Sequence, residues 1–180
     1  MDDRLNNEMV RLRRLKTILD AESDIPLRLR IEGQSLDLRQ FKLIIKGIRS
    51  LVSNPDSNRN HTADVFVITV RVPSGYPWVA VPDMRFMAPV PFHPQIWPDG
   101  TICWGLGYPQ PDLCVVDWVR GVVEYLQYNQ DMESLLKINA LSPANRAAMQ
   151  WWTANANRIS KYVPPVDLVR LRSLIDQTRG

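Results

Sequence analysis

The sequence predicts an α+β domain, in which an N-terminal helix, a four-stranded antiparallel meander, a proline-rich coil and C-terminal helices follow one another. Leucines at helical spacing begin the chain, four β-like runs come next, and helical spacing returns only after residue 112. Strands that succeed one another without intervening helices indicate an antiparallel sheet rather than a parallel one. With 180 residues, of which 45% are hydrophobic and 23% charged, the chain can bury one core of its own.

The first helix is predicted over residues 4–20, where apolar residues recur at helical spacing: Leu5, Met9, Leu12, Leu15 and Leu19. Three arginines fall together on a neighbouring flank: Arg4, Arg11 and Arg14. This flank is either a solvated basic face or a docking face for a protein partner.

Four strands are predicted next, from β-branched enrichment and from turn residues between the runs: Leu27–Ile31, Leu38–Ile48, Val65–Val72 and Met84–Met87. The polar stretch 54–62 separates the second strand from the third. We assign no catalytic role to His61, which lies within that turn.

Periodicity stops after Met87 for about 25 residues. Nine of the 14 prolines lie between Pro73 and Pro111, which predicts an ordered but non-regular path there. Three later segments are predicted as helices: Leu113–Leu126 with Asp112 as N-cap, a helix that begins at Ser142 and Pro143, and Val166–Ile175.

Composition excludes several classes of protein. A net charge of +3 is too small to indicate nucleic-acid binding unless it is clustered. No apolar run reaches the length of a membrane span and the N-terminus has no signal-peptide pattern, so we expect a protein of the reducing cytoplasm. Two cysteines and two histidines do not make a zinc site without carboxylates, and the sequence calls for no metal and no cofactor.

The two cysteines have different surroundings. Cys103 follows an Asp-Gly turn and a short Thr-Ile extension, a position typical of an exposed loop rim. A thiolate held there could attack an acyl group, whereas a small buried hydrophobe is the other interpretation. Cys114 begins an apolar helix face and is expected to be buried.

A cysteine hydrolase would need a general base, and His93 is the nearest candidate in the sequence. It precedes a proline, which stiffens the backbone, and could instead hydrogen-bond the turn. No second histidine or positioned carboxylate completes a triad, so papain-like hydrolysis is the less favoured chemistry.

The run His93-Pro94-Gln95, with Cys103 eight residues after Gln95, resembles the signature of the ubiquitin-conjugating enzymes, His-Pro-Asn followed by the active cysteine. Further similarities appear in the expected order: Pro73-Ser-Gly-Tyr-Pro-Trp78 is similar to the family's Pro-x-x-Tyr-Pro-Phe loop, and Ala140-Leu-Ser-Pro143 to its Pro-Leu-x-Pro helix entry. The resemblance implies a UBC-like catalytic domain over residues 1–163 and a C-terminal helical tail over residues 164–180.

The resemblance implies that Cys103 accepts a ubiquitin-like protein from an activating enzyme as a thioester and transfers it to an amine. Gln95 would support the oxyanion, His93 the turn, and Asn139 the incoming lysine, with Asp131 and Glu133 as alternatives. The positive face of the first helix would meet the activating enzyme. The ligase-facing loops would be formed by Tyr76, Pro77, Trp78 and Pro111.

The sequence also departs from the family pattern. Gln95 replaces the asparagine, Trp104 directly follows the cysteine, and residues 127–138 look like an insertion. These departures favour a divergent, prokaryotic member. They also keep open an alternative function, a catalytically inactive UBC-fold module that binds a ubiquitin-like protein or scaffolds a partner.

Overall fold

The computed structural model describes residues 3–57, 61–104, 112–128 and 143–179. A long helix comes first, four strands follow, and three α-helices and one 3-10 helix complete the described chain. Their bounds are α1 Asp3–Ala21, β1 Arg28–Glu32, β2 Gln40–Leu51, β3 Thr62–Arg71, β4 Asp83–Phe86, α2 Val115–Leu126, α3 Arg146–Asn155, the 3-10 helix Ala156–Lys161 and α4 Leu168–Asp176.

The four strands form one antiparallel sheet in the order β1-β2-β3-β4, which confirms the predicted meander. Alternation along β2, β3 and β4 sends one set of side chains inward and leaves the other toward solvent. The inward row crosses the sheet through paired residues: Leu29 opposite Ile45, Ile45 opposite Phe66, and Ile68 opposite Phe86.

Helices α1 and α2 pack against each other and against this inner face. The five apolar residues predicted for the first helix are buried, as are the apolar residues of α2: Leu5, Met9, Leu12, Leu15, Leu19, Val115, Trp118, Val119, Val122, Val123 and Leu126. The tail helix α4 adds Leu171, Leu174 and Ile175 to the same core. Within the described ranges, no helix combines the length and the apolar character that a membrane crossing requires.

The predicted N-cap of α2 is wrong. Cys114, not Asp112, is the cap, and its N–H donates to the Asp117 carboxylate at 2.9 Å. The next free amide, that of Val115, donates at 2.7 Å to the carboxylate of Glu8 from α1. A carboxylate that caps α2 from another helix cannot be recognised in the sequence next to α2. Local sequence therefore predicted the nearest aspartate as the cap.

The predicted start of α3 is also wrong. The helix begins at Arg146, and Asn145 is the N-cap, whose side-chain oxygen accepts the Ala148 N–H at 3.0 Å. Pro143 precedes the helix, and Ser142 lies outside the described residues. Asparagine caps helices as well as serine does, so the sequence offers two neighbouring N-cap residues, Ser142 and Asn145, and the helix uses the second.

The segment 146–163 packs around a second, smaller apolar cluster formed by Leu51, Tyr128, Trp151, Trp152, Ile159 and Val163. Polar contacts attach it to the turn after β2. Trp151 Nε1 donates to Asp56 at 2.8 Å, and Arg158 pairs with the same carboxylate at 3.1 Å. His61 contacts the Tyr162 ring edge-on in this region.

Candidate active site

The segment predicted as active-site coil contains a short β-hairpin over residues 95–103. The Cys103 N–H donates to the Gln95 carbonyl at 2.8 Å, and the Trp97 N–H donates to the Thr101 carbonyl at 2.9 Å. Ile96 and Ile102 pair between these two bonds. The arms are too short, and too rich in proline nearby, to produce the alternation by which strands are predicted.

The hairpin is attached to the edge of β4 that does not pair with β3. The Phe86 N–H donates to the Gly100 carbonyl at 2.8 Å. The Arg85 guanidinium donates to the Asp99 carbonyl at 2.8 Å and pairs with the Asp99 carboxylate at 3.2 Å. Gly100 has a φ of +92°, and a Cβ there would lie 2.0 Å from the Phe86 carbonyl oxygen. Glycine is therefore required at this turn, because any side chain would separate the hairpin from the strand.

The hairpin register accounts for the eight-residue spacing between Gln95 and Cys103. Because Ile96 lies opposite Ile102, Gln95 lies opposite Cys103. Directly opposed residues of an antiparallel pair present their side chains on one face, with Cβ atoms about 4.5–5.5 Å apart. The opposite face carries the buried Ile96 and Ile102, so Gln95 and Cys103 share the other side of the hairpin.

The side chains of this pair differ in exposure. Cys103 is half-buried and forms no disulfide. Gln95 is 1% exposed, and neither its amide oxygen nor its amide nitrogen has a hydrogen-bond partner among the described residues. A buried amide without a partner is costly and calls for an explanation. Both of its polar atoms are covered, so it meets a ligand atom only when the side chain turns toward Cys103.

His93 braces the turn and is not a base for Cys103. Its Nδ1 accepts the Gln95 N–H at 3.0 Å, and its Nε2 is buried without a partner among the described residues. The ring lies against Tyr125 and Tyr128, with centroids 5.0 Å apart in each case. Complete burial lowers the pKa of His93 to about 3, so the imidazole is neutral at physiological pH. The predicted turn contact is present, and neither ring nitrogen hydrogen-bonds the Cys103 thiol.

Comparison with known proteins adds nothing to this geometry. The chain matches no family model and no curated protein. A functional assignment therefore depends on the residues of the site themselves.

Two aromatic residues at the site were not predicted. The Tyr125 hydroxyl donates to the Cys103 carbonyl at 3.1 Å. Trp104 packs on Gly121 and on the rings of Trp118 and Tyr125. The unusual position of Trp104 after the cysteine was the available sequence signal. Nothing in the periodicity of α2 distinguishes Tyr125 from an ordinary core residue.

Cys114 is buried, as expected, where α1 meets the start of α2. Arg11 donates to its sulfur, and the carboxylates of Glu8 and Asp117 lie close by. Burial, together with Glu8, raises the pKa of the Cys114 thiol. A buried thiol that resists ionisation is a poor nucleophile.

The three arginines of α1 do not form one uniformly exposed patch. Arg4 lies over the Tyr76 ring, 5.5 Å from its centroid, and pairs with the buried Glu8 at 3.5 Å. Arg11 is half-buried against Cys114, whereas Arg14 is exposed. The charge of this face toward solvent therefore comes chiefly from Arg14.

The predicted ligase-facing residues are likewise partly buried and partly exposed. Tyr76 is buried, and its hydroxyl donates to the Leu113 carbonyl at 2.9 Å. Pro77 is buried beside it, while Trp78 is 71% exposed. Pro111 and Asn139 lie outside the described residues, as do the alternatives Asp131 and Glu133 and most of the predicted insertion.

Proposed function

We propose that this chain is a carrier of the ubiquitin-conjugating type, with a UBC fold. It accepts the C-terminal carboxyl of a ubiquitin-like protein as a thioester on Cys103 and transfers it to a lysine amine of a target. An activating enzyme would supply the acyl group, and a ligase would be a further partner. The α+β order of elements and the motifs around Cys103 support the proposal.

The observation that carries the proposal is a half-buried cysteine paired across the hairpin with a buried, unpartnered amide, with no base hydrogen-bonded to the thiol in the described part of the chain. Hydrolysis of an amide needs a base that activates the cysteine and then protonates the leaving amine. Exchange between thioesters needs neither, because a thiolate is both the nucleophile and the leaving group. The site therefore suits an acyl donor that is already activated.

In the first step the Cys103 thiolate attacks the thioester carbonyl carbon of the charged activating enzyme. A new bond forms between that carbon and Sγ, the bond to the donor's sulfur breaks, and the donor cysteine leaves as a thiolate. One thioester replaces another, so the step needs no oxidant and no net proton transfer.

In the second step a neutral lysine amine attacks the same carbonyl carbon. The carbon–nitrogen bond forms, the bond to Sγ breaks, Cys103 leaves as a thiolate, and the surplus proton on nitrogen passes to water. Desolvation and orientation of the amine can supply much of the rate without a strong base. Gln95 would donate its amide N–H to the oxyanion that forms between attack and collapse.

The decisive experiment is charging with an activating enzyme, ATP and a ubiquitin-like protein. We expect a conjugate on Cys103 that dithiothreitol removes and that Cys103→Ala abolishes. Cys103→Ser should give an ester that resists dithiothreitol but is cleaved by hydroxide, since an oxygen ester is the more stable acyl product.

Cys114→Ala is the matched control and should charge as the wild type does. If Cys114→Ala loses the conjugate while Cys103→Ala keeps it, the assignment is wrong. A folded chain that binds the modifier tightly but never forms a thioester would instead support the alternative, an inactive binding or scaffold module, for which the glutamine at position 95 is the favouring observation.

A further inference from the structure

The main chain of Cys103 is held at both of its polar groups. Its N–H donates to Gln95 across the hairpin, at 2.8 Å. Its carbonyl accepts the Tyr125 hydroxyl, at 3.1 Å, from the last turn of α2. The first bond sets the register of the hairpin, and the second connects the reactive end of the hairpin to a helix.

Tyr125 is itself fixed. It is 3% exposed, and its ring stacks between His93, with centroids 5.0 Å apart, and Trp104, with centroids 5.5 Å apart. Burial raises the pKa of the phenol well above its usual value, so the hydroxyl remains a donor. The packing of His93 and Trp104 on the two faces of the Tyr125 ring therefore fixes where its hydroxyl points.

We propose that Tyr125 is a positioning residue for Cys103: its hydroxyl fixes the Cys103–Trp104 peptide and thereby keeps the thioester sulfur aligned with the Gln95 amide during transfer to the amine. This inference rests on the proposed function and deepens it. Without the hydroxyl, the end of the hairpin loses its anchor to α2, so Cys103 can shift relative to Gln95. Misplacement of reacting atoms by about 1 Å can cost about 100-fold in rate.

Tyr128, two residues past the end of α2, provides a matched control. It is 6% exposed, its ring lies 5.0 Å from His93, and its hydroxyl donates to the Phe92 carbonyl at 2.6 Å. Tyr125→Phe and Tyr128→Phe therefore each remove one buried hydrogen bond to a backbone carbonyl and keep the ring against His93. Only the first of them touches Cys103.

The experiment measures single-turnover transfer from Cys103 to free lysine. Cys103 is first acylated with acetylglycine thiobenzyl ester in a Cys114→Ala background, so that no activating enzyme is needed. We expect Tyr125→Phe to transfer about tenfold more slowly at saturating lysine. Tyr128→Phe should stay within about twofold of the parent, although both variants lose a similar amount of thermal stability. Equal rates for the two variants would overturn the proposal.

A double variant tests whether Tyr125 acts through Gln95. In a Gln95→Ala background the amide is gone, so Tyr125→Phe should add little to the defect. Full multiplication of the two defects would show that the hydroxyl does not align the thiol with Gln95. Because the small thioester is the acyl donor, these rates support or overturn the role of Tyr125 even if no activating enzyme charges Cys103 and the proposed function fails.

Discussion

Gln95 combines two properties that a loop-bracing residue does not need, a buried amide and the absence of partners for it within the described residues. If the amide meets the oxyanion, Gln95→Ala should leave charging largely intact but slow transfer to lysine by about 100-fold. Gln95→Glu should be at least as harmful, since a carboxylate repels the developing negative charge. Single-turnover discharge of the preformed thioester measures both.

Two further variants separate chemistry from packing at position 95. Gln95→Met preserves most of the volume and removes the unsatisfied amide, so the free energy of unfolding should stay level or rise while transfer falls. Gln95→Asn shows whether a shorter reach suffices. Discharge of Gln95→Ala at the wild-type rate would mean that backbone amides meet the oxyanion instead.

His93 links stability to pH. Its pKa is about 3 in the folded chain because of burial, against an ordinary value of 6.5, so the unfolded chain binds one more proton between those values. This contribution is complete above pH 6.5 and is lost as the pH falls below it. Between pH 6 and pH 5 the free energy of unfolding should drop by about 1 kcal/mol on this account.

His93→Asn is the control for that prediction, because an asparagine oxygen can accept the Gln95 N–H in an Asx turn and does not titrate. Urea denaturation at pH 7, 6 and 5 should show a wild-type slope steeper than that of His93→Asn. His61 is present in both proteins, so any contribution it makes to the slope cancels in the comparison. Parallel slopes would contradict the prediction, because they would mean that His93 takes up a proton as readily in the folded chain as in the unfolded one.

At the scale of elements, the hairpin over residues 95–103 depends on Gly100. Gly100→Ala places a Cβ against the Phe86 carbonyl in a left-handed conformation, so we expect about 2–4 kcal/mol of lost stability and slower acylation of Cys103. Gly33→Ala is the matched control: its φ is +60°, but nothing lies within 4 Å of the added Cβ. It should cost about 1 kcal/mol and leave the chemistry unchanged. Equal effects of both substitutions on acylation would contradict the role of the β4 contact.

Long amphipathic elements were predictable because their own side chains carry the signal. The leucines of α1 and the alternating residues of β2 and β3 indicate their buried faces directly, and the structure buries them. The hairpin was not predictable as regular structure, since its arms of a few residues are held by bonds to β4 rather than by an apolar pattern of their own.

The candidate site was predictable only in part, for the same reason. Cys103 and Gln95 stand out by motif and spacing. The contact between Tyr125 and Cys103, and the capping of α2 by Glu8, join residues that are 22 and 107 positions apart. Such contacts depend on how helices and hairpin pack, and single-sequence periodicity carries no record of them.

For the molecule as a whole, the packing of α1 determines which of its arginines can test docking of an activating enzyme. Arg14→Glu should slow charging at low salt with little change in stability, because an exposed charge affects association more than folding. Arg11→Glu should instead lower the free energy of unfolding by about 1–3 kcal/mol, since it sets a carboxylate near the buried Glu8.

Charging rates at two salt concentrations, compared with denaturation curves, distinguish these effects. Unchanged charging of Arg14→Glu at low salt would leave the face as a merely solvated one. A strongly destabilised Arg14→Glu would show that the contacts of this side chain within the fold outweigh the effect of its charge on docking.

The attachment of the hairpin to β4 has a consequence for solubility. β4 is the last strand of its sheet, and a bare strand edge is a template for pairing with another copy of the chain. Residues 100–102 occupy that edge through the bonds to Phe86 and Met84, next to the exposed side chains of Met87 and Trp97. A substitution that releases the hairpin therefore does two things: it displaces the Cys103 thiol, and it exposes the unpaired edge of β4. Hairpin variants that lose activity should consequently also be the variants that aggregate.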